Sequence, residues 1–350
     1  MRSEDIAKLA GVSRSTVSRV LNNYPDIPQR TRDKVLRIIE QYHYEPNTSA
    51  RALAGKGTDT IGLFVVSMDE RHTGNRIYQN HYFAPIVDTV IDTANAAGFY
   101  VLVHTVYMQD DYLKIKQAFQ QRRIDGGIIV GTQKDSDRIA EICRLGKPFV
   151  MIDFELDEIA EHSHNRETLS VINSDDYHGA CEAMRYLIQL GHRRIAHIRG
   201  RMNTLSGRQR FLAYEAMMNE FGLPYEDSDI LDGKFLKAAA YEEVYRMLSQ
   251  DRERMPTAIF AANDDMALSA IQAIRDNGLS VPDDISVIGF DDIPISSQFI
   301  PSLSTVRLPI YDMSKEAVNQ IVSMCTQGTK IFNSSSFPTE LIIRDSCKRL

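Results

Sequence analysis

Ser3-Glu4-Asp5-Ile6-Ala7-Lys8-Leu9-Ala10-Gly11-Val12-Ser13-Arg14-Ser15-Thr16-Val17-Ser18-Arg19-Val20-Leu21-Asn22 opens the chain. It predicts two short helices around a tight turn. The first spans about Ser3 to Leu9, with Ser3 as N-cap and Ile6, Ala7 and Leu9 turned inward. Gly11 supplies the turn. Ser13 is placed to cap a second helix, Arg14 to Leu21, because its hydroxyl can accept a free amide. A helix-turn-helix needs a small residue at the helix contact, a glycine in the turn and an apolar lock on the second helix. Ala7, Gly11 and Val17 meet these needs at the usual spacing. An ordinary helical hairpin would fill its second helix with apolar residues. This one offers Arg14, Ser15, Ser18 and Arg19, groups that bond guanine, base edges or phosphates.

Outward from this motif, Gln29 to Tyr42 predicts a third helix with Val35, Ile38 and Ile39 on one face. The polar stretch Glu45–Ser49 leads to a helix-capable segment, Ala50–Ala54, and Gly55-Lys56-Gly57 forms a flexible exit. The 350-residue chain carries a net charge of −7, which alone argues against nucleic acid. Residues 1–57 nevertheless hold ten Lys/Arg against six Asp/Glu, so a basic head precedes an acidic body. The four cysteines are scattered, without a Cys-x-x-Cys pair, so no metal site, redox site or cofactor is expected. The acidic start lacks the pattern of an export signal, and no apolar run is long enough for a membrane span. The expected compartment is the cytoplasm, at the nucleoid.

From Ile61 the pattern alternates between β-branched runs and amphipathic helices. Strands are predicted at Ile61–Val66, Tyr100–His104, Gly127–Val130, Phe149–Ile152, Ile195–Ile198, Ala258–Ala261 and Ser286–Phe290. Helices include Ile86–Ala97, Tyr177–Leu190, Phe211–Phe221 and Met266–Asn277. Such alternation predicts two doubly wound lobes of parallel sheet, with a ligand cleft where the strand C-terminal ends face each other.

The run from Asp5 to Asn22 resembles the signature of the lactose/galactose repressor (LacI-type) family. So do Thr31–Val35, Tyr44-Glu45-Pro46-Asn47 and Ala52-Leu53-Ala54-Gly55. The likeness continues through Ala262-Asn263-Asp264, Ile285–Asp292 and Pro338-Thr339-Glu340-Leu341. It implies an all-α helix-turn-helix head on an α/β periplasmic-binding-protein-like core. The expected division is a DNA-binding head over 1–46 and a hinge helix and linker over 47–60. A first lobe follows over 61–165 and 294–326, and a second over 166–293 and 327–350.

By position the resemblance makes Arg14 and Ser15 base readers and Arg19 a base or phosphate contact. Ser13, Thr16, Ser18 and Asn22 fall on phosphate-side positions. Arg14-Ser15 departs from the pair in the lactose repressor, so its operator is not assumed. Residues 47–55 match the hinge helix, Asn47 included, with Leu53 at the position that wedges into the central base step; otherwise Leu53 packs on the body. A head this small implies a homodimer on a near-palindromic operator.

In the body, Asp153, Arg210, Asn263 and Asp291 match effector-contacting positions, Phe235 a ring-stacking aromatic, and Tyr82 and Phe83 a ligand-touching loop. Carboxylates, amides and arginine suit sugar hydroxyls, and an aromatic ring suits a sugar face. Each has a plainer reading: Tyr82 and Phe83 as core, Asp291 as a turn residue, Arg208 as a helper of Arg210 or merely exposed. Asp264, Asp265 and Asp292 read as caps or loop anchors. The function implied is a repressor switched by a small, sugar-like effector. Rivals are a purine-type corepressor or protein coregulator on the same fold, an exported sugar-binding protein, and an enzyme. The export signal and the phosphate-loop, nucleophile or metal motifs that the last two need are missing.

Overall fold

The computed structural model describes residues 1–21, 24–44, 57–67, 80–131, 136–160, 167–250 and 254–350. Asn22, Asn47, Leu53 and most of the expected hinge lie outside the described residues. The chain divides into two units, Met1–Thr58 and Asp59–Leu350.

In the first unit α1 is Ser3–Ala10, α2 Arg14–Leu21 and α3 Gln29–Gln41. Ile6, Ala7, Ala10, Val17, Val20 and Val35 form its core, joined by Ile38 and Ile39. Two expectations are corrected. Arg2, not Ser3, occupies the N-cap position, and its N–H donates to the Asp5 carboxylate at 2.8 Å. Leu9 is 45 % exposed and Ala10 takes its inward place, because residues 6, 7 and 10 share one face at 3.6 residues per turn. Gly11 adopts φ 61°, the left-handed conformation that lets the chain leave α1. Ser13 caps α2 as expected, its Oγ accepting from Thr16 N–H at 3.1 Å.

The second unit holds two sheets. The larger is formed by β1 (Thr60–Val66), β2 (Tyr100–Val106), β3 (Gly126–Val130), β4 (Phe149–Ile152), β5 (Thr168–Ser174) and β11 (Ile331–Phe337). Its order is β11-β5-β4-β3-β1-β2, all parallel. α4 (Phe83–Ala96) and α12 (Ile310–Gln327) cover one face. α5 (Tyr112–Gln120), α6 (Ser136–Cys143) and α7 (Leu156–Ala160) cover the other. The smaller sheet has the order β7-β6-β8-β9, again parallel. Its strands are β6 (Ile195–Arg199), β7 (Ile230–Asp232), β8 (Ala258–Ala261) and β9 (Ser286–Ile288). It packs between α8 (Asp176–Gln189) with α9 (Leu205–Glu220), and α10 (Lys237–Gln250) with α11 (Asp264–Asp276). A short antiparallel pair, β10 (Thr305–Arg307) with β12 (Glu340–Ile342), completes it. The two doubly wound lobes agree with the sequence expectation.

The lobe boundaries do not. β5 and β11, assigned to the second lobe by the divisions at 166 and 327, pair with each other and with β4 in the first sheet. Residues 294–308, assigned to the first lobe, belong to the second: Leu303 packs with α11, and Val306 and Leu308 with α8. The chain therefore passes between lobes after β5, before α12 and after β11. A lobe is defined by which sheet a strand completes, and strand pairing is non-local, so a linear pattern does not mark these crossings.

Candidate functional site

The first unit presents a polar helix face. Val17 and Val20 are buried, which leaves Arg14, Ser15, Ser18 and Arg19 exposed on α2. Ser13 Oγ also bonds the hydroxyls of Ser15, at 2.6 Å, and Thr16, at 2.8 Å. Arg14 Nη1 lies 3.4 Å from Glu4 Oε1. Arg19 pairs with Asp26 and sits 5.4 Å from the Tyr24 ring centre. Both arginines are solvent-exposed, so these contacts are weak and water-screened.

The second unit contains a cavity with about 730 Å³ of space free of protein atoms, part of it open to solvent. All seven residues expected around a ligand, Tyr82, Phe83, Asp153, Arg210, Phe235, Asn263 and Asp291, line it. Parallel topology explains the convergence. Asp153 follows β4, Asn263 β8 and Asp291 β9, so each stands at a strand C-terminal end. Three non-glycine lining residues adopt left-handed backbone: Asp153 (φ 69°), Phe235 (φ 59°) and Asp291 (φ 115°). Such conformations are costly, and they aim these side chains into the space the strands enclose.

At one end stands Arg210, with its side chain 4 % exposed. Its Nε donates to Asp176 at 2.7 Å and its Nη1 to Ala262 O at 2.5 Å. Nη1 also reaches Asp291 at 3.3 Å. Its guanidinium lies 3.8 Å from the centre of the Phe290 ring and 5.9 Å from that of Phe235. The carboxylates hold Arg210 above its ordinary pKa despite burial, which opposes its charge. The same burial pushes the Tyr82 phenol well above its usual range.

Asp153 joins the two lobes. Its Oδ1 accepts from Ser206 N–H at 2.8 Å and its Oδ2 from Ser206 Oγ at 2.9 Å, at the start of α9. Burial, then the charge of Asp176, pushes its carboxyl up to about 7, against the pull of the two Ser206 bonds. A second inter-lobe contact runs from His81 Nδ1 to Asp265 at 3.0 Å, and Lys237 holds the same carboxylate at 3.0 Å. Glu155 and Arg208 form a third at 3.0 Å.

Asn263 also has a structural role: its Oδ1 caps α11 by accepting from Met266 N–H at 2.9 Å, leaving its amide donors for other partners. Asp264 is a loop anchor, as expected. It is fully buried and accepts from Thr305 Oγ1, Ser296 Oγ and Ile293 N–H at 2.6, 2.7 and 3.0 Å. Asp292 anchors Arg307 and Arg344. Asp265 departs from the expectation, since it lines the cavity.

Six further polar lining residues were not foreseen: Ser67, Asn80, Arg201, Thr204, Ser206 and Asp265. Asn80 was discoverable as a helix cap, and its Oδ1 accepts from Tyr82 and Phe83 N–H at 3.0 Å each. Thr204 caps α9, accepting from Gly207 N–H at 3.0 Å. Reading that cap would have started the helix at 205 rather than 211 and placed Ser206 in its first turn. Two glycines make room for the aromatic walls. A Cβ at Gly131 would lie 2.6 Å from the Phe83 ring, and one at Gly200 would lie 2.1 Å from that of Phe235.

Residues 4–47 match the description "Bacterial regulatory proteins, lacI family", and 184–347 match "Periplasmic binding protein-like domain". The "Probable HTH-type transcriptional repressor ExuR" of Bacillus subtilis (strain 168) is 35% identical over 353 residues, spanning 99% of this chain and 98% of its own. The HTH-type transcriptional repressor PurR of Haemophilus influenzae (strain Rd KW20) is 31% identical with the same coverage. Among solved structures, the lac repressor dimer bound to operator and the anti-inducer ONPF superposes with a TM-score of 0.81 at 28% identity, over 99% of both chains. Head, body and full-length relatives agree: the chain belongs to the lacI family of bacterial regulatory proteins.

Proposed function

We propose that this chain is a transcription repressor, not an enzyme, that binds a near-palindromic operator as a homodimer in the cytoplasm. A small hydroxylated effector, a sugar in the first instance, occupies the cavity between its lobes and sets its affinity for DNA. The observation that carries this reading is the convergence of Asp153, Arg210, Phe235, Asn263 and Asp291 on one cavity, in a chain that also bears an exposed recognition helix. Carboxylates, an amide and an aromatic face are the groups a polyol ring requires. Asp153–Ser206 and His81–Asp265 cross the same cleft, so a bound molecule competes with or completes contacts that fix the lobes. Ligand and DNA then favour different lobe arrangements, and the coupling is reciprocal.

The test is a thermal-shift screen of sugars, sugar acids, sugar phosphates and nucleobases on the full chain. Anisotropy follows at fixed salt, on an operator selected from random duplexes. A sugar that raises the melting temperature and changes operator affinity is the expected result. A screen in which nucleobases alone bind moves the reading to a purine corepressor, as the relative named PurR suggests. If no binder changes operator affinity, the reading is wrong.

A further inference from the structure

Asp291 holds an unusual position in the cavity. Its side chain is 6 % exposed, yet it lines the open space. Its backbone is fixed on both sides: its N–H donates to Val306 O at 2.7 Å, and its carbonyl accepts from Leu308 N–H at 3.4 Å. Among the described residues its carboxyl receives one hydrogen bond, from Arg210 Nη1 to Oδ1 at 3.3 Å. That guanidinium is already committed to Asp176, at 2.7 Å from both Nε and Nη2, and to Ala262 O. Asp291 Oδ2 has no protein donor among the described residues.

The charges around Asp291 are mostly of its own sign. Asp176 faces it from α8, Asp264 and Asp265 from α11, and Arg210, the one cation among them, from α9. Asp153 stands across the cavity, beside the Tyr82 phenol. Of the other nearby cations, Arg307 and Arg344 hold Asp292, His81 and Lys237 hold Asp265, and Arg201, which also lines the cavity, donates its Nε to Lys234 O at 3.2 Å. Three acids, Asp153, Asp176 and Asp291, thus lie around one buried guanidinium. Asp153 has compensation: two donors from Ser206 and the N-terminus of a 16-residue helix. Asp176 has the bidentate arginine. Asp291 has neither.

We propose that Asp291 stands in the effector-free protein as a neutral carboxylic acid whose O–H points into the cavity. This rests on reading the cavity as the effector site. An effector then meets a donor at Asp291 and must bring an acceptor oxygen to it, while Asp153 remains available to accept. The site selects for the direction of each hydrogen bond as well as for shape. No bond is made or broken beyond an ordinary acid–base equilibrium, and the proton comes from solvent. Burial pushes the Asp291 carboxyl well above the usual carboxylate range, overcoming the opposite pull of Arg210. A carboxylic acid kept neutral by an apolar site so that it can donate is a known physical solution.

The experiment needs no effector. The full chain is labelled with [4-13C]aspartate and its carboxyl carbons are followed from about pH 5 to pH 9. Through-bond correlation to the Asp291 amide assigns the signal without any variant. The Asp291 carbon is expected to stay at the acid position well above the pH of about 4 at which an ordinary aspartate ionises. A carboxylate position throughout, or an acid signal that belongs to Asp153 alone, overturns the proposal. A second measurement compares thermal melting of the wild type with Asp291→Asn, which keeps one donor and one acceptor in the same shape. The native state would hold at Asp291 a proton that the unfolded chain has lost, so raising the pH destabilises the wild type more than the variant, which keeps only the losses that Asp153 and Asp264 share with it. The midpoint of Asp291→Asn relative to wild type should climb as the pH rises above about 4, the value for an unfolded aspartate. Parallel profiles count against the proposal. A ligand screen that finds nothing would sink the function proposed above and leave these two readouts untouched.

Discussion

Adding one methyl group at Gly200 should weaken effector binding without touching the effector. Gly200 follows β6, and its φ lies outside the left-handed range, so alanine fits its backbone. The new Cβ would lie 2.1 Å from the Phe235 ring. Carbon atoms settle at about 3.5 Å, so the ring must retreat by about 1.4 Å. Phe235 is itself held at φ 59°, so its backbone has little freedom to follow. The cavity thereby loses the position of its aromatic wall. A displaced aromatic contact costs on the order of 1 kcal/mol, or about fivefold in Kd. The assay is calorimetric titration of wild type, Gly200→Ala, Phe235→Ala and the double variant with the best sugar from the screen. If Gly200 acts only through the ring, its substitution does nothing further once the ring is gone. The two losses should therefore be strongly non-additive. Additive losses, or a Gly200→Ala variant that binds like wild type, would refute the reasoning.

The remaining expectations concern charge. Arg210→Met leaves the Asp176 carboxylate buried without its cation, and should cost about 3–5 kcal/mol of stability in urea denaturation; a loss under 1 kcal/mol would show that Asp176 does not depend on the arginine. Asp264→Asn should flatten the pH dependence of stability. Burial lifts the Asp264 carboxyl to about 7 in the folded chain, against about 3.9 unfolded. Its contribution is then complete below the unfolded value and lost as pH rises through about 7, so melting curves should show a shallower decline in the variant than in the wild type. Arg14→Ala should relax preference at one base pair by about 1–3 kcal/mol in selection from random duplexes. Uniform weakening on all sequences would mean that Arg14 contacts phosphate instead.

Much of this was legible because the relevant signals are local. Gly11, Ser13 and the spacing of Val17 and Val20 sit within one helical pair, and the structure places them as the pattern requires. Asp153, Asn263 and Asp291 follow strands whose β-branched runs are equally plain. What escaped depends on contacts distant in sequence. Ile331-Phe-Asn-Ser-Ser-Ser-Phe337 reads as a polar loop, and becomes a strand only because β5 offers it a parallel edge. Asp265 looked like a cap because its partner His81 lies 184 residues away. Ser206 was missed through a helix start drawn six residues too late, an error that the Thr204 cap would have prevented.

The return of β11 to the first sheet bears on the order in which the chain matures during synthesis. The head closes its core with residues drawn from its first 44 positions, so it can fold soon after leaving the ribosome. The first sheet cannot gain its final edge until Phe337 has emerged, about 290 residues later. At typical elongation rates that is an interval of roughly 15–60 s. Throughout it, a nascent chain carries a finished recognition helix and an unfinished sensor. Ribosome-bound intermediates of this protein should therefore bind DNA non-specifically before they can respond to any small molecule.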